Sequence, residues 1–335
     1  MPTKAQLSTV DGTDAPAADA TEQQQAQVVS ASAGGSVTEA AEKKPINWLA
    51  FLKTASQQAI KERFSLEVSG ILELHGMKHH CCLALLEPQD SIDSYDLDQI
   101  FSALKETNPV RAKNVVLFLI STGGSAEPAY QISKLCKSFA FEKFTVVVPR
   151  HAKSAATMVA IGADEIHMGP LGQLGPIDPQ IGGLPALGVS QALNTIASVA
   201  QSHPGSAEMF ARYLRMALTV EQIGYCDRIS ESAVQYAQRL LSTKPGLVST
   251  APAIARELVH EYKDHDFVID LEEARKHLGE DWIKTGTGEL EAAEYIYGVF
   301  EIVNFYLGVA KSKRILVSGG AGLPSSVLVL DKKED

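Results

Sequence analysis

The chain has 335 residues, 45% of them hydrophobic and 21% charged, which is enough to bury a sizeable core in one large domain or two. Its formal net charge of −10 argues against a general binder of nucleic-acid phosphates. No apolar run approaches the roughly 20 residues that span a bilayer, and the N-terminus lacks a signal-peptide pattern. We therefore expect a cytoplasmic protein without a membrane anchor.

Residues 1–45 are rich in Ala, Gln, Thr and Ser and show no apolar periodicity, so they are predicted to form a disordered tail. Ordered structure is expected to begin near residue 46. The pattern then predicts a helix over 47–65, β-like runs within 66–86, and an amphipathic helix over 94–106. Glycines at 70 and 76 separate the predicted β-like runs.

Four cysteines in a chain of this length do not indicate a disulfide framework. His79, His80, Cys81 and Cys82 resemble a metal-binding cluster, but adjacent residues point in different directions and no second pair follows at zinc-ligand spacing. The apolar residues 83–86 that follow favour a strand instead. We therefore predict neither a metal ion nor an organic cofactor.

The central part of the chain alternates strands with helices. A continuous apolar run at 115–120 and the β-rich run 144–148 are typical of buried parallel strands, and each is followed by a helical pattern. This alternation implies right-handed crossovers and a parallel sheet covered by helices. The elements predicted here are strands at 115–120, 144–148 and 165–168 and helices at 126–139 and 155–163.

The remainder of the chain is predicted to be mainly helical. Residues 189–241 are expected to be wholly helical, and the apolar stripe of a long helix over 289–310 is expected to pack in the core. The whole of 46–315 is interpreted as one α/β domain, and 316–335 as a C-terminal tail. The other predicted elements are helices at 250–262 and 271–277 and a short β-like run at 267–269.

Two strand ends are candidate sites, because ligands of parallel α/β sheets bind beyond the carboxyl ends of the strands. The first is the turn containing Gly123 and Gly124, whose backbone can bend tightly and direct N–H groups at a ligand. It is not a phosphate loop, because no Gly-Lys-Ser/Thr follows. The second is Ser154, which opens an Ala-rich helix and is either an N-cap or a nucleophile beside the positive helix end.

Gly123 and Gly124 followed after about thirty residues by Ser154 resemble the Clp protease and signal peptide peptidase superfamily. That resemblance implies a ClpP/crotonase-like fold and a serine peptidase. A closer similarity is to the serine dehydrogenase proteinase family. Its signature resembles residues 148–155, 162–169 and 174–180, with a later segment at 265–274.

The resemblance also implies the partners of the nucleophile. A serine hydroxyl needs a base to take its proton, and the family order implies Ser154, Asp178 and His265 as the triad. His265 would have to lie between the other two, because only the imidazole accepts and returns a proton near neutral pH while a carboxylate orients it. The N–H groups of Gly124 and Ala155 are candidates for the oxyanion hole.

Other interpretations remain open. His151, three residues before Ser154, could reach it through a turn, whereas Lys153 is adjacent and tends to point elsewhere. A Ser–Lys dyad lacks its usual downstream lysine, because none occurs between Ser154 and Lys244. Asp178 could instead bond backbone amides in its Pro-rich turn, and His265 could lie in a solvated turn.

The expected reaction is hydrolysis of a peptide or protein substrate through an acyl-enzyme on Ser154, by a homo-oligomer of the kind common in the superfamily. The family usually carries His and Pro around the Gly-Gly turn, whereas this chain has Ser121-Thr122-Gly123-Gly124, a departure that bears on the oxyanion geometry. Two alternatives share the fold: a non-peptidase hydratase or thioesterase acting on an acyl-CoA, and an inactive oligomeric scaffold.

Overall fold

The computed structural model describes residues 46–181 and 184–332. The expected tail of residues 1–45 lies outside that range. The helices are α1 Trp48–Thr54, α2 Gln57–Leu74, α3 Ser94–Thr107, α4 Ala126–Phe139, α5 Ala155–Ile161, α6 Ala186–Ser202, α7 Ala207–Ala217, α8 Val220–Leu241, α9 Ala251–Arg256, which continues as a π-helical turn Glu257–Glu261, α10 Leu271–Leu278 and α11 Gly288–Lys311. The strands are β1 Cys81–Glu87, β2 Val115–Ser121, β3 Phe144–Val148, β4 His151–Ala152, β5 Glu165–Met168, β6 Gln173–Leu174, β7 Gln180–Ile181, β8 Leu184–Pro185, β9 Ile283–Lys284, β10 Lys313–Gly320 and β11 Val327–Asp331.

One mixed sheet organises the structure, with strand order β11-β10-β1-β2-β3-β5-β9. The five strands from β1 to β9 in that order run parallel, β10 pairs antiparallel with β1, and β11 pairs antiparallel with β10. The short β4 pairs in parallel with both β2 and β6. The predicted fold class, an α/β protein with parallel strands and helical additions, is confirmed.

Both faces of the sheet are covered, which explains the continuous apolar runs. Alternate residues of β2 point to opposite faces, so Leu117 and Leu119 join one core with α3, α4 and α5. Val116 and Phe118 join a second core with α2 and α11. A strand buried on both sides reads as uninterrupted hydrophobic sequence.

The predicted β-like runs in residues 66–74 are wrong, because α2 continues to Leu74. Its buried residues recur at four-residue intervals at Ile60, Phe64, Val68 and Leu72. That stripe packs on the sheet and outweighs the exposed Gly70, whose cost within a helix is only about 1 kcal/mol. The strand in this region is β1 alone.

The segment after residue 315 also differs from its expected role as a tail. β10 and β11 complete the sheet beside β1, and Val317 and Val327 are buried in the core. The region 189–241, predicted to be wholly helical, is interrupted in the structure. A 3₁₀ turn at Pro204–Ser206 separates α6 from α7, and Thr219 caps the first turn of α8.

Candidate active site

The residues singled out from the sequence lie where strands end. β2 ends at Ser121, β4 at Ala152 and β6 at Leu174, and β4 pairs with the other two. A turn lies at the end of each of these strands. We call them the glycine turn (residues 121–124), the nucleophile turn (153–155) and the Asp178 turn (175–179). The parallel pairing brings all three to one edge of the sheet, where α/β proteins bind their ligands.

Ser154 occupies the residue before α5, but its side chain makes no capping hydrogen bond. The capping interpretation therefore does not hold. Its backbone has φ +51° and ψ −117°, a conformation that residues with a side chain rarely adopt. Strain of this kind costs about 1–3 kcal/mol and concentrates at functional sites.

The glycine turn lies directly against the nucleophile turn. A Cβ at Gly123 would stand 2.7 Å from the Cβ of Ser154 and 3.0 Å from the carbonyl O of Lys153. A Cβ at Gly124 would stand 2.4 Å from the backbone of Ile92, to which the turn is hydrogen-bonded. Both glycines also have positive φ, so both positions require glycine.

Two amides at this contact are available for an oxyanion. Among the hydrogen bonds of the described residues, none uses the N–H of Gly124 or Ala155 as donor. Ala155 begins α5, and the first amides of a helix have no partner within it. The N–H of Gly123, in contrast, donates to Ser121 Oγ at 3.1 Å.

Ser121 is fully buried beneath the glycine turn, and its hydroxyl donates to Glu87 Oε1 at 3.1 Å. Ser121 is therefore an internal support for the glycine turn. Burial, followed by the nearby Asp96 charge, raises the Glu87 pKa from 4.5 to about 8, although the Ser121 hydrogen bond opposes that change.

Thr157 joins the nucleophile turn to the Asp178 turn. Its buried hydroxyl lies 2.6 Å from the carbonyl O of Ala152 and 2.8 Å from that of Gly175, and it accepts from the Gly175 N–H at 3.0 Å. Sequence reasoning missed this residue. The available signal was a lone hydroxyl in an otherwise apolar first turn of α5.

Asp178 and His265 are brought together although they are distant in sequence. Asp178 Oδ2 lies 3.8 Å from His265 Nδ1, and the Asp178 side chain is mostly buried. Asp178 Oδ1 and His265 Nδ1 have no hydrogen-bond partner within the described residues. The separation is longer than a hydrogen bond.

Backbone hydrogen bonds from residues before and after His265 hold its segment of chain beside the Asp178 turn. Leu174 and Ile269 exchange hydrogen bonds of 2.9 and 3.1 Å, so the predicted β-like run at 267–269 reduces to a single bridge at Ile269. Ile177 N–H donates to the carbonyl O of Leu258, in the π-helical turn, at 2.8 Å. The Asp178 turn is thereby anchored both before and after the His265 segment (residues 262–267).

A cavity of about 410 Å³ opens at this edge, lined by Thr122, His151, Lys153, Gln173, His265 and Asp266. Both candidate imidazoles therefore face one space. Burial and, second, the charge of Lys153 lower the His151 pKa. No carboxylate lies within ion-pair distance of His151 in the described part of the chain, whereas His265 faces Asp178.

Lys244 is buried at the far end of α5, where its amine donates to the carbonyl O of Ile161. Burial lowers its pKa from 10.5 to about 8. A helix of seven residues is about 10 Å long, so Lys244 is separated from Ser154 by the length of α5. It stabilises the C-terminal end of that helix and is not placed to serve as a dyad base.

His79 lies in a 3₁₀ turn, His80 follows it, and the two adjacent cysteines begin β1. Within residues 46–181 and 184–332, no three metal-ligating side chains form a group that could hold an ion. No described helix is long and apolar enough to cross a bilayer.

Residues 89–203 match the family model of the ClpP-like SDH-type serine proteinases. The predicted resemblance to the serine dehydrogenase proteinase family is confirmed. The matched segment contains the glycine turn, Ser154 and Asp178, and it ends before His265.

Two relatives are uncharacterized proteins of Methanocaldococcus jannaschii. One is 28% identical over 251 residues, covering 70% of this chain and 80% of the relative. The other is 34% identical over 97 residues, 29% of this chain and 32% of the relative.

Two solved structures resemble the chain at low identity. A membrane-bound stomatin-specific protease shares 17% identity with a TM-score of 0.38, over 58% of this chain and 75% of that one. ClpP1 from Listeria monocytogenes shares 15% identity with a TM-score of 0.38, over 65% and 97%.

The strain at Ser154 gives a first prediction. Ser154→Gly should be more stable than Ser154→Ala by about 1 kcal/mol, because glycine adopts positive φ without strain. Urea denaturation of both variants measures the difference. The control is the same two substitutions at Ser198, which is exposed within α6. There the Ser198→Gly variant should be less stable than Ser198→Ala by about 1 kcal/mol. An identical order at both positions would contradict strain at Ser154.

Glu87 gives a second prediction. Its folded pKa of about 8 lies above its ordinary value of 4.5, so between these values the folded state retains a proton that the unfolded chain releases. Stability from this group is therefore lost as pH rises from about 5 to about 8. Urea denaturation across that range should show Glu87→Gln gaining stability relative to wild type, while exposed Glu106→Gln shows no such trend. A pH-independent difference for Glu87→Gln would contradict the raised pKa.

Proposed function

We propose that the chain is a serine peptidase in which Ser154 is the nucleophile, His265 the base and Asp178 the residue that orients His265. The observation that carries the proposal is the approach of the mostly buried Asp178 carboxylate to His265 Nδ1, at the strand edge that also carries Ser154. The family match over the segment containing Ser154 supports a peptidase.

The chemical step follows from these positions. Ser154 Oγ attacks the peptide carbonyl carbon while His265 Nε2 accepts the hydroxyl proton, and Asp178 stabilises the resulting imidazolium through Nδ1–H. The amides of Gly124 and Ala155 bind the oxygen that becomes negative. His265 then returns the proton to the departing amine, leaving an acyl-enzyme. Water, deprotonated by the same imidazole, releases the acyl group from Ser154.

The chain order of the triad is therefore Ser154, Asp178, His265, and the imidazole lies between the other two in the reaction. Because Nδ1 faces Asp178, the opposite ring nitrogen, Nε2, is left for the proton of Ser154. A direct contact between Asp178 and Ser154 would offer only a weakly basic carboxylate, which takes a serine proton poorly near neutral pH.

A fluorophosphonate, which reacts with activated serines, tests the proposal together with cleavage of an unfolded protein substrate. Wild type should react in both assays, and Ser154→Ala should react in neither. His265→Ala should lose at least about 10²-fold in rate, the contribution typical of a general base. His151→Ala separates the two imidazoles and should stay within a few-fold of wild type.

Ser198→Ala, a change on the exposed face of α6, controls for substitution itself. Full activity in His265→Ala would overturn its role as base. A folded wild-type protein that never reacts with the fluorophosphonate would favour the inactive scaffold. Labelling at Ser154 without peptide cleavage would favour the acyl-CoA enzyme.

We further propose that the peptidase works in the cytoplasm as a homo-oligomer. The support is an exposed apolar face on α7, where Met209, Tyr213 and Met216 recur at helical spacing and are each more than half exposed. Light scattering should give a mass that is a multiple of 36.0 kDa, and Met216→Glu should reduce it. Exposed Glu106→Gln should leave the mass unchanged. A monomer at micromolar concentration would contradict this proposal.

A further inference from the structure

Lys153 connects the nucleophile turn to the His265 segment. Its Nζ donates a hydrogen bond of 3.0 Å to the main-chain carbonyl O of Asp266, the residue after His265. The side chain is 17% exposed, whereas that of Asp266 is 85% exposed and lies 3.8 Å from the same amine. The contact to the backbone carbonyl is a hydrogen bond, whereas the exposed ion pair contributes little.

The backbone of Lys153 is held in the nucleophile turn by two hydrogen bonds. Lys153 N–H donates to the carbonyl O of Ser121 at 3.0 Å, and its own carbonyl accepts from the Ala156 N–H at 2.9 Å. Its stem also lies over Gly175, where an added Cβ would stand 3.0 Å from Lys153 Cγ. One side chain therefore contacts the Asp178 turn and the His265 segment from a position adjacent to Ser154.

The His265 segment also contains contacts between its own residues. Asp266 N–H donates to Asp264 Oδ1 at 3.0 Å, and Phe267 N–H to the Asp264 carbonyl at 3.2 Å. The rings of Tyr262 and Phe267 pack with centroids 4.8 Å apart across the base of the segment. In the described part of the chain, the hydrogen bond from Lys153 is the one that joins residues 263–267 to the nucleophile turn.

We propose that Lys153 is a positioning residue that holds His265 at its working distance from Ser154 by binding the main chain of Asp266. This inference rests on the proposed peptidase function. Lys153 would act through His265, because its amine binds the main chain of the His265 segment. A lysine stem is long enough to cross the Asp178 turn, and its ammonium supplies the donor that a backbone carbonyl requires.

The test compares Lys153→Met, which keeps the length of the stem and removes the donor, with Lys263→Met. The second variant makes the same change at an exposed lysine of the His265 segment. Lys153→Met should lower the fluorophosphonate labelling rate about 10- to 100-fold, since a misplacement near 1 Å has effects of that size. Lys263→Met should label like wild type, and Lys153→Arg, which restores a donor, should recover part of the rate.

Two further readouts separate positioning from other roles. Amide hydrogen exchange should accelerate at residues 263–267 in Lys153→Met while the sheet remains protected, which also shows that the variant is folded. In a His265→Ala background, Lys153→Met should cause no further loss of labelling, because a residue that acts through His265 has nothing left to position.

The inference is overturned if Lys153→Met labels at the wild-type rate, if exchange at 263–267 is unchanged, or if the loss persists in the His265→Ala background. The last result would make Lys153 a base in its own right. Failure of the proposed function gives a different pattern, in which wild type does not label at all. Faster exchange in Lys153→Met would then still support the link to the His265 segment.

Discussion

The close approach of Gly123 to Ser154 is the constraint on which the rest of the site depends. It forces two glycines into the turn after β2, because a side chain at either would collide with neighbouring backbone or with Ser154 itself. Ser154, at this contact, also has a strained backbone. The strain is held in place because β4, which precedes Ser154, pairs with β2, and because α5 begins directly after it. Beneath the contact, the buried Ser121 accepts from the Gly123 N–H and donates to Glu87.

A second requirement, the placement of an acid and an imidazole, is met by contacts between distant parts of the chain. The Asp178 turn is bonded to α5 through Thr157 and to the residues flanking His265 through Ile177 and Leu174. The bonds of Ile177 and Leu174 join backbone groups, so they fix the path of the chain whatever side chains these residues carry, whereas the bond to α5 requires the Thr157 hydroxyl. The segment that matches the family ends before His265, and the sheet edge is what brings this later residue to the site.

The parts of this structure that the sequence predicts are those set by local patterns. Strands β2 and β3 follow from runs of mainly apolar, β-branched residues, and α4 from an amphipathic period. The extension of α2 past Gly70 and the pairing of β10 with β1 could not be predicted, since both depend on burial against a sheet formed elsewhere. Ser154 can be recognised from the residues next to it in the sequence. The contacts of Thr157 and Lys153 cannot, because they join residues that are distant in sequence and become neighbours only in the fold.

The same lysine bears on which imidazole serves Ser154. Burial and the charge of Lys153 lower the His151 pKa, and no carboxylate within ion-pair reach offsets them in the described part of the chain. His265 faces a carboxylate at Nδ1, which selects the tautomer with Nε2 free to accept a proton. Burial and the Lys153 ammonium thus weaken His151 as a base, while the same ammonium binds the segment that carries His265. Since both rings line the same cavity, this asymmetry of charge supports the proposal that His265 is the base.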